Sequence, residues 1–289
     1  MPHGTALFRL SADPQWTLQP PAVDFGVTVE APYPNGPPLA APGSPATVTT
    51  AVTNFGVPPV LFPSVSLTAP AGWRVTATSP RSARALPGHD QVLATTWSVA
   101  PPDGTPPGIY QLTGTATYWV IAQQLRVVVP FTSPVIVPMP PPPAGTSFVS
   151  DLKWLRATSG WGPIEIDRSN GERPAGDGWP LTIGGVVFAK GLGAHAPSTI
   201  EYFVGGRCTS VTASVGVDDE KAANGTVTFE VWADGTRVAD SGVLTTAMAA
   251  APLSADVSGA KVVRLLVTDA GDGINSDHAD WAGTTITCG

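Results

Sequence analysis

Short segments in which hydrophobic and polar residues alternate recur along the chain, and clusters of glycine and proline separate them. Alternation with a period of two is typical of β-strands that bury one face. Such segments, with turn clusters between them, predict an immunoglobulin-like β-sandwich over residues 17–136. In this half of the chain the predicted strands cover residues 46–53, 64–68, 73–78, 92–99, 110–120 and 125–129.

The second half continues the pattern, but longer polar segments separate its strands. Between two of these strands lies Asp234-Gly235, a residue pair that favours a tight two-residue hairpin. About eight antiparallel strands with long loops predict a jelly-roll β-sandwich over residues 147–289, so the whole chain is expected to be all-β. The predicted strands cover residues 185–188, 199–203, 210–217, 226–232, 236–240, 255–257, 262–267 and 284–288.

Two stretches mark the limits of these domains. The prolines of residues 137–146 favour an extended polyproline conformation, which predicts a semi-rigid linker between the two sandwiches. Residues 1–16 hold one short strand pattern with no neighbouring partner, and we interpret them as the tail of a preceding β domain. The chain contains 31 glycines and 32 prolines, which favours many turns and no long helices.

Charge is distributed unevenly along the chain. Residues 1–146 contain five basic and five acidic residues, whereas residues 147–289 contain ten basic and seventeen acidic ones. The net charge of -7 therefore comes from the second domain. An acidic domain repels phosphate backbones and anionic lipids, which argues against nucleic acid or a membrane as partner. Neutral ligands, cationic ligands and metal ions remain as candidate partners.

Only two cysteines occur, Cys208 and Cys288, and both lie in predicted strands of the second domain. A disulfide between them would stabilise the domain by roughly 4–5 kcal/mol through loop closure, and two buried free thiols are the alternative. The first residues lack the basic and apolar regions of a signal peptide, and no apolar run is long enough to span a membrane. We therefore expect the chain to be part of a longer, secreted protein.

Three polar segments of the second domain follow strands, where binding chemistry commonly lies. They are residues 191–198, residues 216–220 and the acidic segment 268–281, which contains no Lys or Arg. The acidic segment lacks the ligand spacing of an EF-hand, and the chain has neither a zinc-type Cys/His spacing nor a nucleotide-binding glycine motif. A carboxylate pair that acts as general acid and base in glycoside hydrolysis is an alternative that these residues leave open.

Short motifs recur in order along the second domain. They are SDLKW at 150–154, GWGP at 160–163, KGLGAHA at 190–196, GVDDE at 216–220, DG at 234–235 and DHADW at 277–281. In content and order these motifs, across residues 147–289, resemble the NPCBM domain, also called carbohydrate-binding module family 51. The resemblance implies a galactose-binding-like β-sandwich that contains calcium, recognises galactose-type sugars and has no hydrolytic activity of its own.

The first domain carries a second resemblance. Residues 22–130 are similar to the sandwich domain found beside that module in bacterial α-galactosidases, through TNFG at 53–56, APAGW at 69–73 and LPG at 86–88. Residues 2–9 resemble the end of the β domain that closes an α-galactosidase catalytic region. Together these resemblances imply the non-catalytic C-terminal region of a secreted glycoside hydrolase such as an α-galactosidase, whose catalytic domain would be its partner.

Sugar recognition needs an aromatic ring for the apolar face of the sugar and polar groups for its hydroxyls. Trp161, in a glycine-rich loop, is freer than Trp281, which is either a sugar platform or a core anchor. Trp232 is expected to face outward from its strand, either as a sugar platform or as a cover over the second sheet. The aspartates are either sugar ligands or loop-ordering groups, and His195 and His278 are either sugar ligands or buried histidines that hydrogen-bond to an acidic loop. The candidate sugar-binding residues are Trp161, His195, Asp218, Asp219, Asn275, Asp277, His278 and Trp281.

Calcium, which the resemblance implies, is assigned to Asp151 and Asp280 with nearby backbone oxygens. The predicted function is a binding module that tethers a glycoside hydrolase to galactose-containing glycans. Two alternatives belong to other classes. One is a structural spacer that docks on the catalytic domain and whose loops bind only calcium. The other is a domain that hydrolyses glycosides itself.

Overall fold

The computed structural model describes residues 22–56, 58–120, 124–221 and 223–289, which form two compact units. Asn35–Pro138 and the described residues up to Ala31 form the first unit, and Pro32–Pro34 with Met139–Gly289 form the second. The strand predicted within residues 1–16 lies outside the described residues. Nearly all regular structure is β-strand, which confirms the predicted all-β fold. In this part of the chain no helix is long and apolar enough to cross a membrane.

The first unit is a sandwich of two four-stranded antiparallel sheets. Its strands are β1 (Val23–Val29), β2 (Ala46–Asn54), β3 (Val60–Thr68), β4 (Arg74–Ala77), β5 (Ala85–Leu86), β6 (Gln91–Ala100), β7 (Gly108–Val120) and β8 (Leu125–Val137). The sheets have the orders β1-β2-β6-β4 and β5-β3-β7-β8. Inward-facing residues of both sheets, among them Val48, Trp97 and Leu112, form one core, which confirms the immunoglobulin-like sandwich.

Two strands of this unit, β1 and β5, are absent from the predicted set. β1 is only half-buried at the edge of its sheet, and β5 has two residues, too few for a periodic pattern. β8 continues to Val137 instead of ending at residue 129, and it contains Pro130 and Pro134. β8 is an edge strand, and every second backbone position of an edge strand points its N–H away from the sheet. Proline at such a position removes no sheet hydrogen bond and is tolerated.

The second unit is built from two larger sheets. Its strands are β9 (Gly145–Phe148), β10 (Arg156–Thr158), β11 (Glu165–Ile166), β12 (Thr182–Ile183), β13 (Val186–Val187), β14 (Gly191–His195), β15 (Ser198–Phe203), β16 (Cys208–Val217), β17 (Thr226–Ala233), β18 (Thr236–Thr245), β19 (Ala251–Asp256), β20 (Val262–Thr268) and β21 (His278–Cys288). A short 3₁₀ turn spans Val149–Asp151. One sheet has the order β10-β15-β20-β17-β18, the other the order β11-β14-β21-β16-β19 with β9 also paired to β21, and β12 and β13 form a small hairpin.

Side chains from both large sheets meet in a single core. Trp281 of β21 packs edge-on against Phe229 of β17, with ring centroids 5.0 Å apart, and both side chains are fully buried. This is the predicted jelly-roll sandwich. The predicted turn at Asp234-Gly235 is also confirmed, because both residues have positive φ, 43° and 84°, as a two-residue hairpin of type I′ requires.

β21 organises the sheet that carries the candidate site, since it pairs with β14, β16 and β9. A disulfide joins its last residue, Cys288, to Cys208 at the start of β16, so the bridge is present and the free-thiol alternative is excluded. β21 begins at His278, whereas the sequence analysis places residues 278–281 in the acidic loop; that boundary is wrong. The first five residues of β21 are buried on both faces, so they lack the period-two alternation that marks a half-buried strand.

Candidate functional site

The three polar segments meet at one end of the second unit. His195, the last residue of β14, is the cross-strand partner of His278, the first residue of β21. The amide of Asp218, just after β16, donates to the carbonyl of His278 at 2.9 Å, and the amide of Ala196 donates to the carbonyl of Asp277 at 3.1 Å. Backbone hydrogen bonds therefore hold all three segments against one another.

The imidazole rings of His195 and His278 lie side by side at this end, with centroids 5.0 Å apart in an edge-on arrangement. Nδ1 of His195 lies 2.8 Å from the carbonyl of Ala196, and Nδ1 of His278 lies 2.6 Å from the carbonyl of Asn170. A carbonyl can only accept, so each Nδ1 carries a proton and each Nε2 of a neutral ring is left as an acceptor. Within the described residues neither Nε2 has a protein partner or is sealed from solvent.

Burial holds the pKa of His278 below its usual value, and the positive charge of Lys221 acts in the same direction. The hydrogen bond to Asn170 opposes this shift. Because burial dominates, the His278 ring is neutral at physiological pH. Its Nε2 can therefore accept a hydrogen bond from a sugar hydroxyl.

The segment after β10 lies directly against His195. The amide of Gly160 donates to the carbonyl of His195 at 3.0 Å, and the amide of His195 donates to Ser159 Oγ at 3.2 Å. Next in the chain, Trp161 is 39% exposed, and the guanidinium of Arg173 lies 4.9 Å from its ring centre. Arg173 thus covers one face of the ring, which limits Trp161 as a platform for stacking.

Trp179 is an aromatic candidate that the sequence analysis missed. Its side chain is 67% exposed, the highest value for any tryptophan in the described ranges. Its amide donates to Ser169 Oγ at 2.9 Å, and Ser169 Oγ donates to Glu220 at 2.7 Å. A tryptophan between Gly178 and Pro180, outside any strand pattern, has no regular neighbour that would bury it, and this is the signal that identifies it.

Glu220 and Lys221 form a polar rim beside the histidine pair. The Lys221 ammonium lies 3.7 Å from the Glu220 carboxylate and 3.6 Å from that of Glu172. Ser169 donates to Glu220, and the next residue, Asn170, accepts from the His278 ring, so Glu220 lies near that ring. This end of the unit therefore presents acceptors, one ammonium donor and an exposed indole, which are the groups that sugar recognition uses.

Two of the predicted ligands, Asp218 and Asp219, order the backbone instead. Asp218 is 1% exposed, and its two oxygens accept the amides of Thr182 and Glu220 at 2.9 and 2.7 Å. Asp219 is exposed, and its oxygens accept two consecutive glycine amides in the turn between β12 and β13, at 2.9 and 2.7 Å. These contacts favour the loop-ordering role that the sequence analysis gives as the alternative.

Trp281 and Asp277 also differ from the sugar-binding prediction. Trp281 is fully buried against Phe229, so it cannot present its ring to a ligand and is the core anchor. Asp277 is fully buried as well; one oxygen accepts the Thr226 amide at 2.9 Å, and burial raises its pKa. Asn275 is exposed in the acidic loop and stays a candidate.

Trp232 is partly exposed, but its ring is not free. The guanidinium of Arg264 lies 4.7 Å from the ring centre, and the indole Nε1 donates to Glu230 at 2.7 Å. Glu230 in turn accepts a hydrogen bond from Arg237 at 2.9 Å. Trp232 is therefore held in a surface ion-pair cluster and offers no open platform.

Asp280 is a buried carboxylate without a partner. It is fully buried, and neither oxygen has a hydrogen-bond partner among the described residues. Its cross-strand neighbours are Gly193 and Gly216. A Cβ on Gly193 would lie 2.4 Å from the Asn170 amide nitrogen, so only glycine allows that segment to cover the strand. Burial, with a contribution from Asp218, raises the pKa of Asp280 well above its usual value.

An orphaned buried carboxylate fits either a proton or a hard cation such as calcium, because each removes its charge. The other predicted calcium ligand, Asp151, does not fit beside it. The Asp151 side chain is 57% exposed and pairs with the ammonium of Lys190, which also pairs with Asp167. In the part of the chain that the structure describes, no three His, Cys, Asp or Glu side chains form a metal cluster. A cation at Asp280 would therefore also need backbone or amide oxygens.

A surface hollow of ≈ 380 Å³ opens beside the acidic loop. Asp277 lies between this hollow and the histidine pair, because its carbonyl contacts Ala196 and its carboxylate contacts Thr226 in the wall of the hollow. The residues that line the hollow are Ala223, Asn224, Gly225, Thr226, Thr245, Thr246, Ala247 and Asp272.

A β-sandwich that gathers free imidazole acceptors, a polar rim and an exposed indole at one end has the character of a carbohydrate-binding module. Comparison with known families agrees with this class. Residues 145–287 match the NPCBM/NEW2 domain, and residues 40–119 match the NPCBM-associated, NEW3 domain of alpha-galactosidase. The chain thus belongs to the NPCBM family, with a NEW3 domain before its NPCBM domain.

Two curated relatives are glycosidases by name. A Renibacterium salmoninarum protein assigned as an endo-alpha-N-acetylgalactosaminidase is 37% identical over 226 residues, which is 78% of this chain and 15% of that protein. The alpha-1,3-galactosidase B of Akkermansia muciniphila is 35% identical over 104 residues, which is 35% of this chain and 13% of that protein. The chain therefore spans only a small part of the length of these relatives.

Two of the solved structures that the chain matches are named as CBM51 modules. The CBM51 of Clostridium perfringens GH95, solved with methyl-galactose, is 32% identical with a TM-score of 0.44, over 49% of this chain and 99% of that one. The tandem CBM51 modules of a family 98 glycoside hydrolase from Streptococcus pneumoniae are 17% identical with a TM-score of 0.44, over 85% of this chain and 84% of that one.

Proposed function

We propose that this chain is the non-catalytic region of a secreted glycoside hydrolase, such as an α-galactosidase, and that its second unit binds galactose-type glycans. The observation that carries this proposal is the pair of imidazole rings at the polar end, each with its Nδ1 on a carbonyl and its Nε2 free of protein partners. The names of the two curated relatives, an endo-alpha-N-acetylgalactosaminidase and an alpha-1,3-galactosidase, support the choice of sugar.

The chemistry of recognition follows from these groups. His195 and His278 accept hydrogen bonds from adjacent sugar hydroxyls, and the Lys221 ammonium donates to a third. The exposed indole of Trp179 packs against the apolar C–H face of the ring. Binding of this kind is weak at a single site. Tethering to a catalytic domain in the same protein raises the effective concentration of that domain at its substrate.

Titration calorimetry with methyl galactoside tests the site through Trp179→Ala. We expect an affinity loss of about tenfold, which corresponds to roughly 1.4 kcal/mol of lost aromatic contact. Trp119→Ala is the matched control, because Trp119 is 42% exposed on the first unit and its removal should leave affinity unchanged. Equal affinities for parent and Trp179→Ala, with the fold retained, would reject this site.

Calcium is the second part of the proposal. Asp280 would hold it, because its oxygens are buried and unpartnered. Bound calcium supplies positive charge, which removes the repulsion between Asp280 and Asp218. Asp280 would in this way stabilise the start of β21, next to the histidine pair.

One observation favours the alternative, a structural spacer that docks on the catalytic domain and binds no sugar. The carboxylates of Asp218 and Asp219 are both occupied by backbone amides, so these acidic residues are explained without a ligand. A glycan array of the intact chain separates the two functions. The binding module gives hits among galactose-terminated glycans, whereas the spacer gives none.

A further inference from the structure

We propose that the hollow beside the acidic loop is a second sugar subsite, so that the preferred ligand is an oligosaccharide rather than a single galactose unit. This inference rests on the proposed function of the polar end, where His195 and His278 lie. The hollow lies on the other side of Asp277, whose backbone carbonyl contacts Ala196 next to His195 and whose carboxylate contacts Thr226 in the hollow wall. One residue thus connects the two places.

Hydrogen bonds hold the polar groups of the wall in place. Gly225 and Thr246 are paired twice: the Gly225 amide donates to Thr246 Oγ1 at 3.0 Å, and the Thr246 amide donates to the Gly225 carbonyl at 3.0 Å. Thr226, next to Gly225, donates its Oγ1 to the Asp272 carboxylate at 2.6 Å. A wall of fixed hydroxyl and carboxylate groups loses little entropy when a ligand binds.

Two lining residues adopt a backbone conformation that side chains normally avoid. Asn224 has φ of 72° and Ala247 has φ of 70°. Asparagine tolerates the left-handed region, but for alanine this conformation is strained. Such strain persists where the surrounding structure requires a particular shape, and it clusters at ligand sites. Here both strained residues line the same hollow.

The lining defines the class of ligand. It offers threonine hydroxyls, an asparagine amide and the Asp272 carboxylate, together with the small apolar surfaces of Ala223 and Ala247. It contains no Lys or Arg, and the adjacent segment 268–281 has none either. An anionic group would be repelled there, whereas a neutral polyol can both donate and accept. The volume of ≈ 380 Å³ lies in the range of small-molecule sites.

The test compares a monosaccharide with longer sugars on the intact chain. Methyl galactoside and galactose-terminated di- and trisaccharides are titrated against the parent, Asp272→Asn and Thr246→Val. Asp256→Asn serves as the control, because Asp256 is exposed at the end of β19 and lies opposite Ser210 in the sheet, far from the site end of β16. Melting temperatures check that each variant is folded.

We expect the parent to bind the di- or trisaccharide of higher affinity about tenfold more tightly than methyl galactoside. This ratio corresponds to one or two extra hydrogen bonds. In Asp272→Asn and Thr246→Val this ratio should fall to about two or less, with affinity for methyl galactoside unchanged. An unchanged ratio in both variants overturns the subsite, and so does an equal loss for sugars of every length. If the parent binds no saccharide at all, the proposed function itself fails.

Discussion

Removal of the disulfide should weaken the second unit strongly and leave its polar end able to bind. The bond joins Cys208 at the start of β16 to Cys288 at the end of β21, with a sequence separation of 80. Replacement of both cysteines by serine opens this loop and leaves no reactive thiol behind. The substitution therefore isolates the contribution of the cross-link.

The expected loss follows from loop closure. A cross-link over a loop of about 80 residues lowers the entropy of the unfolded chain by roughly 15 cal/mol/K, or about 4.5 kcal/mol at 25 °C. Residual structure in the unfolded chain makes the true effect smaller. Two serine hydroxyls at positions that are 1% and 5% exposed add a cost of about 1 kcal/mol or more. We expect a net loss of roughly 3–5 kcal/mol in the free energy of unfolding.

Hydrogen exchange in increasing urea, read by mass spectrometry, reports on each unit separately. Peptides from β16 and β21 follow the second unit, and peptides from β2 and β6 follow the first. The first unit contains no cysteine, so its unfolding midpoint is an internal control. His278 and Cys288 lie at opposite ends of β21, roughly 30 Å apart at about 3.3 Å per residue. Affinity for methyl galactoside without urea should therefore not change.

The reasoning has a clear point of failure. A loss below about 1 kcal/mol with an unchanged dependence on urea would mean that the 80-residue loop does not restrain the unfolded second unit. A lower midpoint in the first-unit peptides would instead show a general disturbance of the chain. A large fall in sugar affinity would contradict the placement of the site at the far end of β21.

Three other substitutions test separate parts of the second unit. Gly193→Ala should lower the melting temperature in calorimetry by several degrees, because its methyl group would meet the backbone amide of Asn170 at 2.4 Å. In the control, Gly88→Ala, the new methyl group meets no atom within 4 Å, so the melting temperature should not fall. Calcium should raise the melting temperature of the parent but not that of Asp280→Asn. Without calcium, Asp280→Asn should melt above the parent, because the variant has no buried carboxylate at this position. A retained calcium response in the variant would exclude Asp280 as a ligand. Asp219→Ala should speed amide exchange in the β12–β13 turn, seen by NMR, and leave sugar affinity within about twofold; a larger loss would return Asp219 to the site.

Strands with one buried face could be predicted closely from the sequence. β2, β6, β16, β17 and β20 each begin and end within two residues of the predicted bounds, because alternating burial leaves a period-two pattern. β14 and the start of β21 could not be found in this way. Both are buried on each face, and their glycine, histidine and aspartate residues read as loop composition.

The candidate site shows the same division. The segments that meet at the polar end could be named from sequence, but the exposure of single side chains could not. Trp281 lies in a strong family motif and is fully buried, whereas Trp179, in an irregular loop, is 67% exposed. The guanidinium of Arg173 covers the ring of Trp161, and neither strand nor helix periodicity links these two residues. Exposure depends on tertiary packing, which local pattern does not encode.

The aspartates of the motifs and the candidate ligand contacts are different residues, for a physical reason. A carboxylate such as Asp218, at 1% exposure, needs hydrogen bonds from amides, and in making them it fixes the backbone of Glu220. Ser169 then links Glu220 to Trp179 by side-chain and backbone hydrogen bonds. The supporting groups cannot be exchanged freely, because each must satisfy the hydrogen bonds of a buried partner. The outward-facing groups are free to vary with the sugar, so specificity in this fold should reside in loop residues such as Trp179 and Lys221 rather than in the aspartates of the motif.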